Sequence, residues 1–120
     1  MQEINMRNYA HLGDAVWELF VREHTVDLCQ KPKDLHKMTT KFVNCSYQAE
    51  MLNLIEEDLT EYEQEIKRRA RNMEVPVARR NNQSEYRQAT AFEALIGYWY
   101  REDKERLKSI FEKLLSEIFK

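Results

Sequence analysis

An all-α fold is what this sequence predicts, and three observations predict it. Its 120 residues hold only two glycines and two prolines, so there are few points at which the chain can turn tightly or break. The alternating β-branched runs that mark strands are absent. Apolar residues recur instead three and four apart over long stretches, the spacing that gathers them on one face of a helix. With 42% hydrophobic and 33% charged residues, the chain suits one ordinary domain with a single core, spanning 1–120.

The elements follow in order. A first helix is expected from Asn5 to Asp27, with Tyr9, Leu12, Val16, Leu19 and Phe20 as its apolar face. Pro32 suits the start of a short second helix, because the N–H it lacks would have no partner there anyway; Leu35, Met38, Phe42 and Val43 give that helix its buried side. A third begins near Ser46, buries Ala49, Met51, Leu52, Leu54 and Ile55, and stops around Asp58. Thr60-Glu61-Tyr62-Glu63 reads as a capping box, in which hydroxyl and carboxylate each satisfy a backbone donor, and it opens a fourth helix to Arg71 or Asn72. Met73 to Gln83 carries Pro76 and Asn81-Asn82 without helical periodicity, and is expected to be the longest loop, with Arg79 and Arg80 projecting from it. Ser84 is the expected cap of a fifth helix to Tyr100. Asp103 is the expected cap of a sixth carrying Leu107, Ile110, Phe111, Leu114, Leu115 and Ile118.

The formal charge of −2 argues against a protein that coats nucleic acid over its whole surface, but the charges are sorted along the chain. Seven acids and no base fall between Glu50 and Glu65, whereas Lys67 to Arg80 holds Lys67, Arg68, Arg69, Arg71, Arg79 and Arg80 against Glu74 alone. No apolar run approaches the ~20 residues of a membrane span, and no signal-peptide pattern is present, so a cytoplasmic protein with no membrane partner is expected. Cys29 and Cys45 lack CxxC spacing and read as reduced structural thiols. His11, His24 and His36 have no metal-ligand spacing.

Two acids stand out against this background. Asp14, in HLGDAVWELF, and Glu93, in ATAFEALIGYWY, each sit within apolar helical stretches, where a carboxylate is costly to ionise unless a cation compensates it. Around Glu93 the small residues Ala89, Thr90, Ala94 and Gly97 recur at helical spacing, which lets another helix approach closely and could bring a carboxylate of the first helix to it. A divalent metal shared by the two helices would account for both acids. The blander alternatives are an Asp14 paired with His11 and a Glu93 accepting a hydrogen bond from Thr90, each one helical turn away. Glu18 and Arg22 read as an i,i+4 surface or interface pair.

The runs LGDAVWELFVR (Leu12 to Arg22) and YRQATAFEALIGYWY (Tyr86 to Tyr100) resemble, in order, the paired signature of the ribonuclease III catalytic domain. Between them KPKDLHKMTTKFV, SYQAE and RRARN resemble the Mini-ribonuclease III subfamily, which has that domain without a double-stranded-RNA-binding domain. The resemblance spans nearly the whole chain and implies an all-helical homodimer that cleaves double-stranded RNA with Mg2+, for which Mn2+ could substitute. Ribosomal RNA precursor is the substrate it implies, 5′ phosphate and 3′ hydroxyl the product ends, with room for a ribosomal-protein helper.

By position, the resemblance makes Asp14 and Glu93 the catalytic metal ligands. Full-length relatives carry further acids at the places of Arg7, Ala10 and Thr90, so this site is sparser and holds one or two ions. Duplex RNA is recognised through phosphates, 2′ hydroxyls and groove shape, and Arg68, Arg71, Asn72, Arg79 and Arg80, with His36 and Lys37 in a segment resembling KPxxLHK, suit those contacts. The glycine-free run MEVPVARR departs from relatives that carry glycine there. Trp17, Phe20, Val21, Tyr98 and Trp99 are candidates for a dimer interface or for the core. Two rivals remain: a catalytically weak or inactive duplex-RNA-binding protein of the same fold, and a helical protein-interaction module.

Overall fold

A computed structural model describes residues 5–118, which form α1 (Met6–Thr25), α2 (Pro32–Val43), α3 (Cys45–Ile55), α4 (Glu61–Arg71), α5 (Gln83–Glu102) and α6 (Lys104–Ile118). Among the described residues there is no strand. None of these helices is long and apolar enough to cross a membrane.

α5 is the axis of the molecule. Ala89, Ala91, Phe92, Ala94, Leu95, Ile96, Gly97 and Trp99 are all buried, so the helix is apolar over most of its circumference and the others pack around it. α1, α3 and α4 lie against it along much of its length, and α6 folds back beside it. Trp17 of α1 sits edge-on to Phe92 with ring centroids 5.0 Å apart, and Phe20 stacks on Phe111 of α6 at 4.0 Å.

The crossing of α1 and α5 is closer than side chains allow. A Cβ added to Gly13 would lie 1.7 Å from the Glu93 carbonyl oxygen, and one added to Gly97 would lie 1.9 Å from that of Tyr9. Both glycines of the chain are spent here, on backbone-to-backbone contact between two helix interiors where each costs about 1 kcal/mol of helix propensity.

Several expectations need correction. α1 ends at Thr25, and its buried face runs through Met6, Tyr9, Ala10, Gly13, Trp17, Phe20 and Val21; Leu12 and Val16 are half-buried and Leu19 is 58% exposed. α5 chooses that face, because Gly13 must point at it. α3 ends at Ile55 and gives way to a 3-10 turn over Glu56–Asp58, and Leu54, expected to be buried, is exposed. The stretch after Pro76 forms 3-10 turns over Val77–Asn82, closed by the Arg79 N–H donating to the Pro76 carbonyl at 2.9 Å. Ser84 lies inside α5 and caps nothing, since that helix starts at Gln83 without a side-chain cap. Trp17, Phe20, Val21 and Trp99 are buried within one chain, so the core claims them; only Tyr98 remains partly open.

The caps expected at Thr60 and Asp103 form as read. The Thr60 hydroxyl accepts from the Glu63 N–H at 3.1 Å while a Glu63 oxygen accepts from the Thr60 N–H at 2.9 Å, and Asp103 accepts from the Arg106 N–H at 3.1 Å.

Candidate active site

The glycine crossing fixes where the two acids stand. Asp14 follows Gly13 in α1 and Glu93 lies one turn before Gly97 in α5, so backbone contact between the helices sets their carboxylates side by side. They share the wall of an open hollow of about 210 Å³ with Arg7, Ala10, His11, Met73, Tyr86 and Thr90. Asp14 is exposed at its rim and Glu93 sits deeper, half-buried. The partner that Glu93 meets is therefore Asp14, across the crossing, rather than Thr90 on its own helix.

The electrostatics record that encounter. Burial, then the hydrogen bond shared with Asp14 and the repulsion of its charge, push the Glu93 carboxyl up to about 9. Two carboxylates so close cannot both ionise cheaply in the absence of a cation. That is the donor set a hard divalent ion fits: two oxygen ligands from different helices, open to solvent on one side, where phosphate and water oxygens could complete an octahedron. Among the described residues no cluster of three or more His, Cys, Asp and Glu side chains is arranged to hold a metal. Arg7, Ala10 and Thr90 do line this hollow.

The basic candidates distribute unevenly. Arg79 lies over the Tyr86 ring, 5.9 Å from its centroid, and Tyr86 forms part of the carboxylate hollow. The Cys45 thiol, pushed up by burial, is pulled down by Arg79 and raised again by Glu93, Glu85 and Asp14, so Arg79 flanks the same region as the two acids. Arg80, Arg71 and Asn72 are exposed on the segment that leads to and from this edge. Arg68 is exposed but held by Glu65 through two bonds of 3.0 and 2.5 Å. His36 and Lys37 are exposed on α2, outside the hollow; His36 lines a separate depression with Arg22, Val26 and Leu35.

Residues that the sequence reading left out of the site also belong to it. Arg7 lines the hollow and donates to the Glu74 carbonyl at 3.3 Å, while Arg87 donates to the carbonyls of Arg71 at 2.5 Å and Met73 at 3.3 Å. Together they pin the segment after α4 beside the acids. Gln48 of α3, 2% exposed, approaches Glu93 from the protein side. No local signal marks Arg87 or Gln48, because each acts across the fold.

Comparison with known proteins identifies the family and the fold. The family model described as the ribonuclease III domain matches residues 7–104. A Mini-ribonuclease 3-like protein of Ilyobacter polytropus is 43% identical over 110 residues, covering 90% of this chain and 87% of that protein. A Mini-ribonuclease 3 of Enterococcus faecalis is 34% identical, covering 98% and 92%. A crystal structure of a protein from Fusobacterium nucleatum superposes with a TM-score of 0.84 at 32% identity, over 97% of this chain and 95% of that one.

Proposed function

Given that the chain belongs to the ribonuclease III domain family, among relatives named Mini-ribonuclease 3, we propose that it is an endoribonuclease that cuts double-stranded RNA with Mg2+, for which Mn2+ can substitute. The observation that carries this is the pairing of Asp14 and Glu93 at the glycine crossing, where mutual repulsion asks for a cation. Asp14 and Glu93 would hold it. When bound, such an ion supplies an activated water and offsets charge on the leaving 3′ oxygen, which gives 5′ phosphate and 3′ hydroxyl ends.

The chain's own residues set the terms of that reaction. Gly13 and Gly97 hold the two acids at a fixed separation, so little reorganisation is needed as substrate arrives. Arg7, in the hollow where full-length relatives place a glutamate, offers a guanidinium suited to a phosphate oxygen and opposes a second divalent ion; we assign one ion per subunit. Arg79 and Arg80, with Arg71, Asn72 and Arg68, contact the backbone along one side of the duplex, and His36 and Lys37 along the other.

Each subunit cuts one strand, so a two-fold dimer matches the duplex. Its contact is the stripe of α1 beside Asp14, namely the half-buried Leu12 and Val16 and the exposed Leu19, continued by the exposed Val26 just past the helix end. Ribosomal RNA precursor in the cytoplasm is the proposed substrate, with a ribosomal protein as a helper. A second reading, a catalytically weak duplex-binding protein, is favoured by Arg7, Ala10 and Thr90 in the hollow. Purified protein incubated with duplex RNA separates the two: cleavage with Mg2+ that stops with EDTA supports the enzyme, and retention of RNA without cleavage at high protein concentration supports the rival.

A further inference from the structure

Gln48 carries a cost that nothing in the fold repays. It lies on α3 at 2% exposure, and its Nε2 is the buried side-chain polar atom left without a hydrogen-bond partner among the described residues. An orphaned buried amide costs roughly 1–3 kcal/mol, which a leucine of similar size would avoid. The sequence around it, Tyr47, Ala49, Met51 and Leu52, is otherwise that of an ordinary packing helix. Such a group in a well-packed core asks for a role.

Its surroundings supply one. α3 packs on α5, and the Gln48 side chain comes close enough to Glu93 to favour that group's ionised form, without the distance and angle of a completed hydrogen bond. Glu93 has Asp14 in front of it and Gln48 behind. By contrast the buried Glu63 accepts from Trp99 at 2.7 Å and from two nitrogens of Arg106, so its oxygens are fixed by donors that the fold itself supplies. The carboxylate that must meet a cation has one donor poised at its back, not yet engaged.

On the reading that Asp14 and Glu93 hold a divalent cation, we propose that Gln48 is the positioning residue of the site, donating Nε2–H to one Glu93 oxygen so that the other is presented to the ion. Partners of this kind behind a metal ligand change affinity by roughly 10–100-fold when removed. The assignment explains both the burial of the amide and its unpaired state, since its acceptor comes into register when the carboxylate turns to the ion.

The experiment compares wild type, Gln48→Leu, Gln48→Met and Asp14→Asn, each stripped with EDTA and titrated with Mn2+ alone, the free ion being read by electron paramagnetic resonance. Thermal unfolding without metal is measured in parallel. The expected result is a metal-free Tm for both Gln48 variants equal to or above wild type, with Mn2+ affinity weakened about tenfold. Binding within twofold of wild type in either folded variant overturns the proposal. So does a metal-free Tm lowered in both variants, which would make Gln48 a packing residue. Wild-type binding that Asp14→Asn leaves intact instead overturns the two-carboxylate site, and the role of Gln48 with it.

Discussion

Glu63 and Glu93 are two glutamates drawn into the core around the same helix, and they end in opposite states. Burial pushes both upward. At Glu63 the Arg106 guanidinium, the Thr60 N–H and the Trp99 indole overcome it and hold the carboxyl below its usual value. At Glu93 the nearest partner is another acid, and the carboxyl is pushed up to about 9. A buried carboxylate ringed by donors ties α4, α5 and α6 together. One that faces a second carboxylate in an open hollow lowers stability unless something from outside joins it. The difference sets a structural acid, Glu63, apart from the one we propose to be functional, Glu93, without reference to any relative.

The comparison breaks in different ways when each acid is changed. Glu93→Gln or Asp14→Asn should lower cleavage of duplex RNA by more than about 10³-fold, the loss of several kcal/mol of transition-state charge stabilisation, while the metal-free Tm stays level or rises. Glu63→Leu should do the converse. It strands Arg106 and Trp99 and should cost roughly 3 kcal/mol, read as a Tm lower by about 10 °C or more, with the remaining folded protein still cutting RNA. Gly97→Ala should damage both properties, since its Cβ would meet the Tyr9 carbonyl at 1.9 Å; a loss of roughly 2–3 kcal/mol by denaturant unfolding is expected, with cleavage impaired even where the protein is folded.

Acidity gives the two groups opposite signatures. Because Glu63 is held below its unfolded value near 4.5, its stabilisation is present above that pH and is lost as pH falls through the lower folded value. Glu93 runs the other way. Its folded value of about 9 favours the native state below pH 4.5, and that advantage drains away as pH rises toward 9. Denaturant titrations of metal-free protein between pH 5 and 9 should therefore show a decline that Glu93→Gln flattens. The smallest change is expected from Arg79→Ala with Arg80→Ala, which leaves Tm in place and reduces the salt slope of duplex binding by about 2.

Much of this was open to reading in one dimension. The caps at Thr60 and Asp103 are local, and local chemistry decides them. The small residues around Glu93 announce a close helix approach, which Gly97 makes. Gly13 carries the other half of the same contact, yet its meaning depends on which helix crosses it, and that is a tertiary fact. The further partners of Glu63 lie 36 and 43 residues away, so the capping box shows only its nearest bond. Gln48 looks like a helix-surface residue until α5 is laid against it. Leu19 falls on the expected apolar face by spacing but is left in solvent, because the glycine crossing rotates α1 toward the stripe of Tyr9, Gly13 and Trp17.

All of these contrasts descend from one arrangement, the meeting of Asp14 and Glu93, which we propose closes around a cation. Crystals of the protein soaked in Mn2+ and measured by anomalous diffraction test it most directly. An anomalous peak within bonding distance of one oxygen from each of the two side chains is the expected result. A Mn2+-saturated crystal with no peak between them, or with a peak held by other residues, would contradict it.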